Sequence, residues 1–197
     1  LALLPSIGMK GNALAAAESP GPTMDKLTPK ISDSAKNLYK MYTVFTAIMI
    51  VILMLCGMNF FDASTHAFGS IGTGGFGIYN NSIAHYKSPL IEWIIAGFMI
   101  FSGINFNLYY YALTKRNGYK ILLKDEEFRF YIIIILLATI TVAANLFASG
   151  IHDILTALRA AFFQVASIMT TTGYSSEDFN LWPTFSKLML IILMIIG

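Results

Sequence analysis

Residues 62–76 read DASTHAFGSIGTGGF, and residues 160–174 read AAFFQVASIMTTTGY. Laid over one another, 98 residues apart, they place Ala63 on Ala161, Thr73 on Thr171, Gly75 on Gly173 and aromatic Phe76 on aromatic Tyr174. Repeats are read before motifs, because an internal period fixes architecture. Each stretch is a mostly apolar, helix-compatible run that ends in glycine and threonine. Each follows a long apolar run and leads, through a short polar loop, into another apolar run opened near Pro89 or Pro183. The repeated unit is therefore long helix, short helix, glycine turn, long helix. Asp62 and Asp153 stand where the N-caps of the short helices, 62–71 and 154–169, are expected, and aspartate favours a helix N-terminus.

The surrounding composition is that of a membrane protein. Of 197 residues, 56% are apolar and 12% charged, against roughly 45–50% and about 25% in a soluble domain. Mean hydropathy is +0.64. Disorder is excluded by the same numbers and by a net charge of only +2. One cysteine, Cys56, and three scattered histidines, His66, His85 and His152, form no disulfide framework and no transition-metal ligand pattern. Crossing a hydrocarbon core of ~30 Å takes about 20 apolar residues. Runs 41–58, 89–113 and 130–148 meet that length, and a fourth opens at Lys187. The chain starts and ends inside apolar elements, so it reads as an interior fragment of a longer membrane protein.

Ten of the 13 basic residues lie in two segments. Lys10, Lys26, Lys30, Lys36 and Lys40 precede the first span, and Lys115, Arg116, Lys120, Lys124 and Arg129 lie between the second and third. The positive-inside rule makes both segments cytoplasmic. Residues 17–34 carry prolines and turn formers and read as a linker, with Ser32 or Asp33 capping the first span. The expected organisation is residues 1–38 as the end of a preceding repeat plus the cytoplasmic linker. Residues 39–116 form one pore repeat and residues 117–197 the next, truncated in its closing span.

Residues 160–169 are apolar on almost all sides and too short to cross, which reads as a re-entrant, buried helix. Non-helical backbone at membrane depth is tolerated only when buried or facing water, and its unpaired carbonyls cost several kcal/mol each. Partly dehydrated cations satisfy such carbonyls, and glycine admits the φ values that aim them inward. That is the design of a cation selectivity filter. Glu177 and Asp178, just outside the second loop, are candidates for raising the local cation concentration at a pore mouth.

The T-x-G-Y core of TTTGY at 170–174 resembles the potassium-channel filter. AFGSIGTGGF at 67–76 and MTTTGYSSEDFNLWP at 169–183 resemble the TrkH/KtrB/HKT superfamily of potassium transporters, and within it the TrkH family. ESPGP at 18–22, LTPKISDSAK at 27–36 and GMNFFDASTHAF at 57–68 extend the resemblance over essentially the whole chain. The resemblance implies an all-α membrane protein of repeated span–pore-helix–filter-loop–span units, potassium-channel-like, with four repeats around one pore. It implies potassium uptake across a bacterial inner membrane, a multi-pass homodimer, and a cytoplasmic TrkA-type nucleotide-binding regulatory subunit. Potassium is the cargo; neither a cofactor nor a nucleic-acid partner is implied. Gly75 and Gly173 match the filter glycines, and Thr73, Gly74, Thr170, Thr171 and Thr172 the neighbouring positions. Gly72, where relatives commonly carry Ser, completes the expected ion-binding set as a mild departure. Two of the four filter strands fall outside this chain.

Several other readings compete. Gly72-Thr73-Gly74-Gly75-Phe76-Gly77 matches G-x-G-x-x-G, with Glu92 twenty residues after Gly72, but a short helix precedes it and no βαβ unit surrounds it. A secondary transporter of another solute predicts paired ionisable residues within spans, and Glu92 alone qualifies; its position favours a helix-start acid. A membrane enzyme needs a catalytic constellation, and His152 with Asp153 lacks partners at a supportable spacing, so no enzyme is expected. A non-conducting half-protein is the remaining alternative. Asn105, Asn107 and Asn145 are expected to face the bundle rather than lipid, and His66 to be a packed, hydrogen-bonded core histidine.

Overall fold

The computed structural model describes residues 31–106, 108, 109, 112 and 118–197. Among them the regular structure is helical, with no strand. The helices are α1 (Ile31–Leu55), α2 (Phe60–Ile71), α3 (Pro89–Ser102), α4 (Gly118–Lys124), α5 (Glu126–Ala148), α6 (Ile154–Met169) and α7 (Thr184–Ile196). Short 3-10 turns at Ser82–Tyr86 and Phe179–Leu181 lie in the loops before α3 and α7. The chain divides into two compact units, residues 1–44 with 105–122, and residues 45–104 with 123–197. The second unit holds both short helices and both glycine loops.

Two helical segments, Lys36–Leu55 and Glu126–Ala148, are long and apolar enough to cross a membrane. Hydropathy marks 89–113 as one span, but the run is not one continuous helix. α3 ends at Ser102, and the Gly103 N–H caps the Met99 carbonyl. The break is met by a side chain from another helix. The Tyr131 hydroxyl, from α5, donates to the Ile100 carbonyl at 3.0 Å, and a Cβ at Gly103 would collide with that hydroxyl. The phenol occupies the space that a side chain at 103 would need.

The linker upstream of Ile31, including Pro20, Pro22 and Pro29, lies outside the described residues. α1 already begins at Ile31, so Ser32 and Asp33 sit within it rather than before it. Asp125 caps α5 by accepting from the Phe128 N–H at 2.9 Å.

The core of the second unit forms around α6. Ile135, Ala138, Val142 and Leu146 recur along one face of α5 and pack with Ala157, Ala160, Ala161 and Val165 of α6 and with Leu190 and Leu193 of α7. The alanines let the backbones approach closely, which is how helices associate where lipid is as apolar as leucine. α6 is buried almost all round from Ala160 to Ser167, as the sequence predicts. The outward faces remain apolar: Val51, Leu55, Leu136, Ile140, Ile191 and Ile195 are exposed. Faces of that size and chemistry fit hydrocarbon, not water. Asn145 faces the bundle and accepts from Ser186 Oγ of α7 at 2.8 Å. Asn105 instead lies exposed beyond the end of α3, and Asn107 is outside the described residues.

Candidate functional site: two glycine loops of one design

α2 and α6 end alike. Gly72 and Thr170 are their C-caps, and the backbone N–H groups return to Phe68 O and Ala166 O. Both caps have negative φ, −84° and −92°, so position 72 imposes no demand for glycine. The next three residues in each loop repeat a dihedral pattern. Thr73 and Gly75 have φ of 49° and 64°; Thr171 and Gly173 have 55° and 90°. Left-handed φ at i and i+2 is rare for non-glycine residues and costly.

Hydrogen bonds hold the pattern in place. The N–H groups of Gly74 and Gly75 both donate to Gly69 O, at 2.8 and 3.1 Å. Those of Thr172 and Gly173 both donate to Ser167 O, at 2.9 and 3.3 Å. In a trans peptide the N–H and the preceding C=O point in opposite directions. The carbonyls of Thr73 and Gly74, and of Thr171 and Thr172, are therefore turned away from the helix end, side by side. The two helix C-termini stand behind them, and their macrodipoles add negative potential at the loops.

The hydroxyls play a different part. Thr170 Oγ1 donates to Ala166 O at 2.8 Å and lies 2.7 Å from Thr172 Oγ1. Thr170 and Thr172 are buried, so their hydroxyls are spent on bracing the loop, whereas Thr171 is exposed and Thr73 half-buried. The two loops also approach one another. A Cβ at Gly75 would collide with the Thr172 carbonyl, whereas one at Gly173 would meet nothing within 4 Å. Glycine at 75 is required twice, by φ and by space; at 173 it is required by φ alone.

Outside the loops the repeats are tied by backbone. The Ile83 N–H donates to Ser175 O at 3.1 Å, and the Ser175 N–H donates to Ser82 Oγ at 3.2 Å. Glu177 accepts from Trp182 Nε1 at 2.6 Å and lies 3.0 Å from His152 Nε2. Asp178 caps the following turn, accepting from the backbone and side-chain nitrogens of Asn180 at 3.0 and 2.8 Å. Asp178 is thus engaged within its own loop, and Glu177 both there and with His152, which precedes α6.

Asp62 does not cap α2. The helix begins earlier, at Phe60, and Asn59 caps it by accepting from the Asp62 N–H at 2.8 Å. The Asp62 carboxylate instead accepts from the hydroxyls of Tyr86 at 2.9 Å and Tyr79 at 3.3 Å. Asp153 does cap α6, and its hydrogen bonds with Thr156 hold its carboxyl below the usual carboxylate range. His66 is fully buried and bonds the Asp62 carbonyl through Nδ1 at 2.8 Å; its Nε2 has no hydrogen-bond partner. Arg159, absent from the sequence-based site, pairs with Glu92, its Nε 2.9 Å from Oε2. Arg159 Nε makes no hydrogen bond there, so the contact is an ion pair. Among the described residues no group of three or more His, Cys, Asp or Glu side chains could hold a metal ion.

Comparison with known proteins gives a consistent picture. The family described as "TrkH: Cation transport protein" matches residues 1–197. The Trk system potassium uptake protein TrkH of Salmonella typhimurium is 37% identical over 199 residues, covering 100% of this chain and 41% of that protein. The Trk system potassium uptake protein TrkG of Escherichia coli is 32% identical, covering 98% of this chain and 40% of that protein. The crystal structure of the potassium transporter TrkH from Vibrio parahaemolyticus superposes with a TM-score of 0.82 at 32% identity, over 91% of this chain and 39% of that one. The chain spans about two fifths of the length of these relatives.

Proposed function

This chain belongs to the TrkH family of cation transport proteins, and on that premise we propose that it contributes two filter strands to a potassium-uptake pore. It has the all-α membrane fold of the TrkH crystal structure. The observation that carries the proposal is the matched loop geometry. Thr73 and Gly75 repeat the dihedral signs of Thr171 and Gly173, and paired N–H groups are anchored on Gly69 O and Ser167 O. Two loops built alike, each turning two successive carbonyls to the same side, replace part of an ion's hydration shell without moving. Gly72 and Thr170 anchor the strands as helix caps. Thr73, Gly74 and Gly75, and Thr171, Thr172 and Gly173, form the strands themselves. Glu177 and Asp178 stand at the mouth, and their loop contacts fix where their charge is held.

The rest of the reading follows from the family. The complete protein is a multi-pass protein of the bacterial cell membrane and works as a homodimer. It acts with a cytoplasmic nucleotide-binding subunit of the TrkA type. It is a transporter and not an enzyme, with potassium as cargo and no cofactor in this chain.

Uptake of rubidium or potassium by cells lacking their own potassium uptake, complemented with the full-length protein, tests the proposal. The expected result is growth and uptake at low external potassium, competed weakly by sodium. Uptake that does not discriminate potassium from sodium would overturn the filter assignment.

A further inference from the structure

One difference between the two loops, at residues 69 and 167, is filled from across the repeat. In the second loop Ser167 Oγ donates to the Tyr174 carbonyl at 2.6 Å, a buried hydrogen bond. The residue at the same place in the first repeat is Gly69, which has no hydroxyl to give to the Phe76 carbonyl. That carbonyl accepts instead from the Tyr174 hydroxyl, at 2.8 Å, from 98 residues away. A Cβ built on Gly69 would collide with the Tyr174 hydroxyl and lie 3.0 Å from Phe76 O. The phenol oxygen thus stands where a side chain at 69 would begin.

The ring itself is seated. Tyr174 is fully buried, its ring centroid 5.6 Å from that of His66, and Gly77 leaves ordinary contact distance beside it. The relation is one-way. Phe76, the counterpart of Tyr174, has no hydroxyl and is 77% exposed.

We propose that Tyr174 is a positioning residue for the first filter loop, its hydroxyl doing for Phe76 O what Ser167 does for Tyr174 O. A carbonyl left unpaired at the loop end relaxes, and the Thr73 and Gly74 carbonyls just before it move with it. Ion discrimination depends on how firmly those carbonyls are held. The inference rests on the reading of the loops as a potassium filter.

The full-length protein and three variants test it: Tyr174→Phe, Gly69→Ser, and the two together. Potassium-over-sodium uptake and thermal unfolding of the purified protein are both read. In Tyr174→Phe the preference should fall about fivefold, the fold-change of a single net hydrogen bond. Gly69→Ser alone should lower the unfolding temperature, because its Cβ meets the phenol. The combined variant should recover both preference and stability, since a serine at 69 can then clamp Phe76 O as Ser167 clamps Tyr174 O. An unchanged preference in folded Tyr174→Phe overturns the inference, as does a combined variant no better than Tyr174→Phe. A harmless Gly69→Ser also overturns it, and this arm reads unfolding alone, so it stands without any transport. A wild-type protein that transports without preferring potassium strikes the filter reading instead.

Discussion

Glu92 in the first turn of α3 and Arg159 in α6 form an ion pair, Oε2 to Nε 2.9 Å, that joins the helix following the first glycine loop to the short helix preceding the second. The Glu92 side chain is 10% exposed and that of Arg159 26%. Neither partner is well solvated once the other is removed, so each single truncation leaves a charge with reduced hydration.

Glu92→Gln and Arg159→Gln are each expected to destabilise the protein, by about 1–3 kcal/mol once the partial exposure of Arg159 is allowed for. The double variant should lose less than the sum of the two, with a coupling of about 1 kcal/mol. Thermal or denaturant unfolding of the four purified proteins measures it, and strict additivity would deny the pair any energetic role.

Gly75 and Gly173, the glycines of the proposed filter, should respond unequally. Alanine at either position incurs roughly 1–2 kcal/mol for left-handed φ. Gly75→Ala adds a collision with the Thr172 carbonyl, so it should damage folding or yield more than Gly173→Ala. Gly173→Asp, with open space for its side chain, should fold better than any large substitution at Gly75 yet lose potassium preference through the charge it adds. Expression yield and potassium-over-sodium uptake separate these outcomes; full preference in Gly173→Asp would count against a filter role for that loop.

Stability should depend on alkaline pH through Tyr86, which lies in the loop between α2 and α3. Burial first, and then the hydrogen bond to Asp62, pushes its phenol well above the ordinary range. The unfolded chain has an ordinary tyrosine, with pKa about 10. Above that pH the unfolded state releases this proton first, so the contribution is complete below pH about 10 and declines as pH rises further. Tyr86→Phe should be less stable at neutral pH by about 1 kcal/mol. Its unfolding temperature should also fall less steeply between pH 10 and 11. Parallel slopes for the two proteins would show that neither burial nor Asp62 raises this phenol in the folded state.

Ser186→Ala removes the hydrogen bond from α7 to Asn145 of α5. Such interhelical bonds average about 0.6 kcal/mol in membrane bundles, and a loss of that order is expected. A loss of several kcal/mol would mean that Ser186, which is fully buried, contributes through packing as well.

Much of this was legible in the chain because its information is local. A short apolar run closed by threonine and glycine has few ways to exist at membrane depth, and the repeat of that pattern exposed the two loops. Asp153 was readable as a cap for the same reason. Asp62 was not, because Asn59 competes for the cap from three residues away and the Tyr79 and Tyr86 hydroxyls give the carboxylate another use. Hydropathy overran the end of α3, because an apolar scale does not register the Tyr131 phenol that enters beside Gly103.

The all-α membrane architecture and the positions of the two short apolar helices could be read from the chain alone, since periodicity, charge placement and glycine position act over a few turns of chain. Which side chains complete the loops after those helices depends on packing between distant segments. Gly69 differs from Ser167 by one hydroxyl, and nothing within either segment says that the missing donor comes from Tyr174. That bond, like the pairing of Arg159 with Glu92, exists because packing brings distant residues within reach. Local preferences do not encode such a distance.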